Sequence, residues 1–321
     1  MMRAALIGLG NIAWKYDQGR PPTDFALSQG GAMRRHPEVQ LVGGCSPERA
    51  DREGFSDWSQ GVPVFETPKA MLDQLQPEMV GICSPTHDHF DHARLCLEAG
   101  VRVLWLEKPP TETLDELQAL ITLADKKNAT VCVNYFRRYL PSYQRLKQLI
   151  QTQEYGTCHL LRLLYSPGLA RNGVHFLDQL FYVTGATAYA IDWVERGRDS
   201  ENPAFTLRLS TGQRVQAFGA QLCYHSNDID AVCDRGVFSI HHGGKQATAE
   251  IAQENSLFPG FYDLTPVTPS PFGEVSFERY MDRVLEDLVA SANEGSLPQS
   301  NLHSAYCTQA LMEDILAKAK T

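Results

Sequence analysis

The sequence predicts an α/β protein in two parts: a doubly wound parallel sheet over residues 1–134, then an α+β domain with a mainly antiparallel open sheet over 135–321. Three observations carry this. Through the first part, short apolar runs alternate with helix-period segments, as in a parallel sheet with helical crossovers. Beyond Asn134, strand-like runs follow one another with short turns, which favours antiparallel pairing. At 321 residues with 43% apolar content, the chain is longer than most single domains and can bury a substantial core.

The first apolar run, residues 4–7, ends in Gly8-Leu9-Gly10-Asn11-Ile12-Ala13, a G-x-G-x-x-G/A turn. In a dinucleotide-binding Rossmann unit the first glycine makes the tight turn and the second lets the backbone approach a pyrophosphate. The small third residue lets the following helix pack on the strand, with phosphate over the helix N-terminus. Arg3 before this run superficially suggests a short signal peptide, but the run is broken by glycines. Further runs lie at 39–42, 62–65, 79–83, 101–106 and 130–133. Leu114, Leu117, Leu120, Ile121 and Ala124 share one helix face that Thr113 caps, with Glu116 completing a capping box.

After Asn134 come a helix-like PSYQRLKQLI and strand-like runs at 157–165, 186–196, 203–209, 213–222 and 229–241. The Pro- and aromatic-rich NSLFPGFYDLTPVTPSPFGE reads as a long ordered loop, and helical segments at about 276–293 and 303–319 close the chain. Lys+Arg 29 against Asp+Glu 38, without a dense basic tract, argues against a nucleic-acid or anionic-membrane surface and for a small-molecule partner. No segment has the length and apolarity needed to span a bilayer. The eight cysteines are scattered with no C-x-x-C, which points to a reduced, cytoplasmic setting.

Two motifs carry candidate chemistry. His87-Asp88-His89-Phe90-Asp91-His92 spells a zinc-hydrolase pattern, yet Phe90, Ala93 and Leu97 fall on one helical face, so the histidines are spaced as helix residues and no metal is expected. The other motif is Glu107-Lys108-Pro109, preceded by Ser84-Pro85, His89, Ala93, Leu97 and Ala99-Gly100. With the glycine turn, Asn134-Tyr135-Phe136-Arg137-Arg138-Tyr139-Leu140-Pro141 and Gly173-Val174-His175-Phe176-Leu177-Asp178, it resembles the Gfo/Idh/MocA oxidoreductases, the glucose-fructose oxidoreductase and inositol dehydrogenase group.

The resemblance implies hydride transfer at a carbinol or keto carbon of a sugar, polyol or sugar nucleotide using NAD(P)(H), and homo-oligomers through the second sheet. It implies cofactor contacts from Gly8, Gly10, Asn11, Ile12, Ser46, Arg49, Ser84, Pro85, His89, Glu107 and Lys108. Lys108 would touch the substrate hydroxyl, and His175 would be the general base in oxidation or the acid in reduction. Many relatives have D-x-G-x-H where this chain has Arg171. Arg171, with Arg137 or Arg138, would then bind an anionic part of the substrate beside Asp178, while salt bridges are the alternative for Arg137 and Arg138. Ser46 at the end of the second strand, with Arg49 or Arg52 near, points to NADP(H), while Glu48 keeps NAD open. A cofactor-sensing protein without turnover is the other reading of the missing aspartate.

Overall fold

The computed structural model describes residues 1–21, 23–195, 199–273 and 275–320; Arg196 and Glu274, which end or fall in expected segments, lie outside them. The chain divides into two compact units, Met1–Phe136 with Glu278–Tyr306, and Arg137–Phe277 with Cys307–Thr321. Residues 278–306, expected in the second part, therefore pack with the first. The cause is an added ladder contact: Val133 N donates to Ser300 O at 2.8 Å, Ser300 Oγ donates to Val133 O at 2.6 Å, and Cys132 bridges Asn301.

The first unit holds a six-stranded sheet of β1 (Met2–Ile7), β2 (Val39–Cys45), β3 (Val64–Phe65), β4 (Met79–Ile82), β5 (Val103–Leu106) and β6 (Thr130–Val133). Its order is β3-β2-β1-β4-β5-β6 with every pairing parallel, so the chain reverses direction across the sheet between β1 and β4. All four residues of β4 and of β5 are buried, as strands covered on both faces require. The crossover helices are α1 (Gln29–Arg35), α2 (Arg49–Trp58), α3 (Pro68–Leu75), α4 (His89–Glu98) and α5 (Leu114–Lys127). Helix α5 carries the expected capping box at Thr113 and Glu116 and buries Leu117, Leu120, Ile121 and Ala124.

The glycine turn departs from expectation on its C-terminal side. No α-helix opens at Asn11: residues 11–14 form a turn, a 3-10 helix covers Lys15–Asp17, and α1 starts only at Gln29. The intervening segment is looped out, because Gln29 N and Gly30 N donate to Ile12 O at 2.9 Å and Ala13 O at 2.8 Å. These two bonds graft α1 onto the turn. Asp17 closes the loop by accepting from Leu27 N and Ser28 N, and Ser28 caps α1.

In the second unit, α6 (Pro141–Gln151) precedes β7 (Cys158–Ser166), a π-helical turn (Gly168–Gly173) and α7 (Val174–Thr184). The remaining strands are β8 (Tyr189–Val194), β9 (Phe205–Leu209), β10 (Arg214–Gly219), β11 (Ser226–Cys233), β12 (Gly236–His241), β13 (Gln246–Glu254) and β14 (Tyr262–Pro266). They form an eight-stranded sheet in the order β14-β13-β12-β11-β7-β10-β9-β8, antiparallel except where β10 meets β7. The expected run 229–241 is a hairpin split at Asp234-Arg235, and the expected long loop contains β14. Every residue of α7 is buried, so this helix has no solvent-exposed face. The last helices are α8 (Tyr280–Glu294) and α9 (Leu302–Lys320).

Candidate active site

The C-terminal edge of the parallel sheet gathers the first group of candidates. The chain leaves β1, β4, β5 and β6 in register there: Gly8 N donates to Cys45 O, Cys83 N to Ile7 O, Glu107 N to Ile82 O and Asn134 N to Leu106 O, at 2.8 to 3.0 Å. Gly8 has φ +82°, and a Cβ on it would lie 2.6 Å from Ser84 N, so only glycine fits between the two turns. A Cβ on Gly10 would meet no atom within 4 Å. The backbone at Gly10 thus faces open space beside the β1–β4 reversal, where such sheets bind ligands, and a side chain there would fill the approach that a dinucleotide phosphate needs.

Lys108 stands on the loop after β5, next to a cis Lys108–Pro109 peptide, and two buried neighbours hold that loop. His89, at the start of α4 and 1% exposed, reaches Pro109 O with Nδ1 at 2.8 Å and Ser84 O with Nε2 at 2.9 Å. Burial lowers its proton affinity, against the opposing pull of those two carbonyls. Glu107 accepts from Gln29 Nε2 at 3.0 Å and Asn134 Nδ2 at 2.6 Å. Burial raises its pKa, partly offset by the two amides and by Lys108. His89, expected at the cofactor, therefore braces the Ser84 and Pro109 backbones, and Glu107 anchors the root of Lys108.

At the end of β2, Ser46 is buried and accepts from Glu48 N at 3.2 Å. Arg49 is exposed and bound to Glu53 at 2.6 Å, while Arg52 donates to Ser46 O at 2.6 Å and Pro47 O at 2.8 Å. The zinc-like histidines diverge. His89 faces two carbonyls, His92 Nδ1 lies 2.9 Å from Ser84 Oγ, and His87 is 64% exposed beside Asp88. Among the described residues no three His, Cys, Asp or Glu side chains are arranged to hold one metal ion.

In the second unit, His175 lies in the first turn of α7 and is 5% exposed. Asp178 and Tyr182 share its helix face. The expected substrate contacts at Arg138 and Asp178 are instead turned on each other: Arg138 Nη2 and Nε donate to the two Asp178 oxygens at 2.6 and 2.9 Å, with side chains 5% and 0% exposed. A carboxylate with no access to water needs such a bidentate partner. Desolvation still raises its pKa, opposed first by Arg138. Arg137 is also buried, and its positive charge opposes the rise that burial gives the Tyr143 hydroxyl pKa. Arg171 is exposed on the π-turn.

Sequence reasoning overlooked Gln29, which carried no motif, and Asn172. Asn172 fastens the π-turn to the strand ends, donating to Ser226 O at 3.0 Å and to Ser166 O and accepting from Asn227. Its only signal was its place in the NGVH string. Asn134 was quoted within a motif, but its partner Glu107 was not foreseen.

Residues 2–135 match the model of the oxidoreductase family with an NAD-binding Rossmann fold, GFO_IDH_MocA. D-glucoside 3-dehydrogenase of Escherichia coli (strain K12) is 26% identical over 206 residues, which cover 58% of this chain and 55% of that protein. UDP-N-acetylglucosamine 3-dehydrogenase of Acidithiobacillus ferrooxidans is 26% identical over 147 residues, 46% of this chain and 41% of that protein. The chain thus spans about half the length of these curated relatives. Crystal structures share the fold across almost the whole chain. That of the Acidithiobacillus enzyme superposes with TM-score 0.76 at 16% identity, covering 99% of this chain and 97% of that one. An Agrobacterium radiobacter oxidoreductase in complex with NAD+, L-tartaric acid and magnesium gives TM-score 0.78 at 14% identity, covering 99% and 96%. No helix among the described residues is long and apolar enough to cross a membrane. Residues 2–135 thus form a Rossmann domain of the Gfo/Idh/MocA oxidoreductase family.

Proposed function

We propose that the protein is an NAD(P)-dependent dehydrogenase or reductase acting at a carbinol or keto carbon of a sugar, polyol or sugar nucleotide. The observation that carries the reading is the pairing of an open Gly10 backbone with a braced Lys108 on the same sheet edge. Residues 8–12 and the Ser84-Pro85 turn would hold the dinucleotide phosphates and ribose. Bound there, a nicotinamide dinucleotide supplies the hydride acceptor or donor. Lys108 stabilises the negative charge that develops on the substrate oxygen. His175 takes the hydroxyl proton in oxidation and returns it in reduction, contributing typically about 10²–10⁴-fold.

Arg171, exposed on the π-turn, would bind a phosphate or carboxylate on the substrate, whereas Arg138 and Asp178 bind each other. Ser46 presents no carboxylate to an adenosine 2′-phosphate, which favours NADP(H). Arg49 and Arg52 are already engaged by Glu53 and by carbonyls, so discrimination against NAD is modest. The second sheet remains the surface for homo-oligomers.

Nicotinamide absorbance at 340 nm, followed over a panel of sugars and sugar nucleotides, tests the reading. Lys108→Ala and His175→Ala are each expected to lower kcat by at least about 10²-fold, His175→Ala with cofactor affinity retained. Tight cofactor binding without turnover on any panel member would instead support the sensing alternative. Arg171→Ala is expected to raise KM for phosphate-bearing substrates and leave neutral ones unchanged.

A further inference from the structure

We propose that Cys158 and Cys233 form a redox-responsive pair that closes to a cross-strand disulfide when the protein meets a peroxide. The two residues oppose each other directly in the antiparallel β7–β11 ladder, and both are free thiols. A register shift creates the juxtaposition. Val232 pairs with Leu160 but Cys233 pairs with Cys158, so His159 is the extra residue of a β-bulge. Along β7 the buried positions Leu161, Leu163 and Tyr165 alternate regularly, and without the bulge position 159 would continue them. The bulge sends His159 outward, where it binds Asp234 at 2.6 Å, and turns Cys158 to the inner face that Ile229, Ala231 and Cys233 also line.

The neighbouring pair fixes the type of site. Asp234 N donates to Thr157 O at 3.1 Å, making residues 157 and 234 a hydrogen-bonded position and 158 and 233 the non-hydrogen-bonded one, where side chains approach most closely. Opposed Cα atoms at such positions are about 4.5 Å apart, within the roughly 4.4–6.8 Å that disulfides span. The end of the ladder is held on both sides, since Asp234 also accepts from Thr157 N at 2.7 Å and Arg235 N donates to Tyr155 O at 3.1 Å.

Cys233 is the more accessible thiol, 9% exposed against 3% for Cys158. A hydrogen bond from Cys158 lowers its pKa, while that of Cys158 is raised. The chemistry is therefore ordered. The Cys233 thiolate attacks a peroxide oxygen, an S–O bond forms as O–O breaks, and the departing hydroxide takes a proton to give water. Cys158 then attacks the Cys233 sulfur, S–S forms as S–O breaks, and the Cys158 proton leaves with the second hydroxide as water. Two thiols are oxidised by two electrons, and one hydrogen peroxide is reduced to two waters.

The test treats the full folded chain with hydrogen peroxide, alkylates remaining thiols and maps peptides without reduction. The expected result is one peptide pair linking Cys158 to Cys233, two hydrogens lighter than its sum and released by dithiothreitol, with a Tm above that of the reduced protein. In Cys158→Ser, Cys233 is expected to accumulate as a dimedone-trappable sulfenic acid. The proposal is overturned if both residues stay alkylatable in the wild-type chain while exposed Cys223 is oxidised, or if Cys233 links to any other cysteine. The wild-type map decides even if the serine variant does not fold.

Discussion

The loop carrying Lys108 and the helix carrying His175 are held in opposite ways. Around Lys108 the braces run to neutral partners: His89 faces two backbone carbonyls and Glu107 accepts from two carboxamides. Around His175 the brace is ionic, a bidentate Arg138–Asp178 pair with no water access to the carboxylate. Neutral partners fix that loop through directed hydrogen bonds alone. Ionic bracing spends both charges on holding the helix, and any substrate cation must come from elsewhere, which is why Arg171 takes that part in the proposal.

The largest effect should come from breaking the ionic brace. Asp178→Ala strands the Arg138 charge in the interior and is expected to cost about 3–5 kcal/mol, read by urea denaturation. If the loss stays below about 1 kcal/mol, the pair does not hold α7 and the contrast fails. A smaller effect is expected at the neutral brace, through pH. Folding depresses the His89 pKa below its ordinary 6.5, with burial the main cause. A depressed base contributes stability that is full above the unfolded value and is lost as pH falls through the folded one. The wild-type Tm should therefore decline between pH 7 and pH 5 more steeply than that of His89→Gln, the difference being at most about 1.4 kcal/mol per pH unit, the limit for one proton. His92, whose pKa is also lowered, titrates in both proteins and cancels. The smallest effect belongs to Arg49→Ala, which removes an exposed pair with Glu53. Stability should not change measurably, and any change in affinity should fall on NADPH and spare NADH.

What the sequence made legible follows the range of the interactions. The strands of the parallel sheet could be read because burial on both faces leaves compact apolar runs, as at Leu104-Trp105-Leu106. Gln246–Glu254 could not, because a strand with one solvated face and few large apolar residues resembles a loop. Gly8, Gly10 and Lys108 sit in motifs whose backbone demands are local. Gln29 reaches Glu107 across 78 positions, and Arg138 reaches Asp178 across 40, so these pairings exist only once the chain has folded. The looped-out segment before α1 was hidden for the same reason. Its ends are joined by the Ile12 and Ala13 carbonyls, and no residue pattern announces such a graft.

The central claim is that the open backbone at Gly10 is a cofactor cradle, and Gly10→Ala addresses it directly. A methyl group there meets no protein atom within 4 Å, so the fold should be indifferent to it. Gly8→Ala is the contrasting control, because its Cβ would press on Ser84 N at 2.6 Å. Titrating NADPH and NADH into wild type and Gly10→Ala by fluorescence, with Tm measured alongside, should show Kd weakened by about tenfold or more at unchanged Tm. Equal affinity in the two proteins would contradict the account.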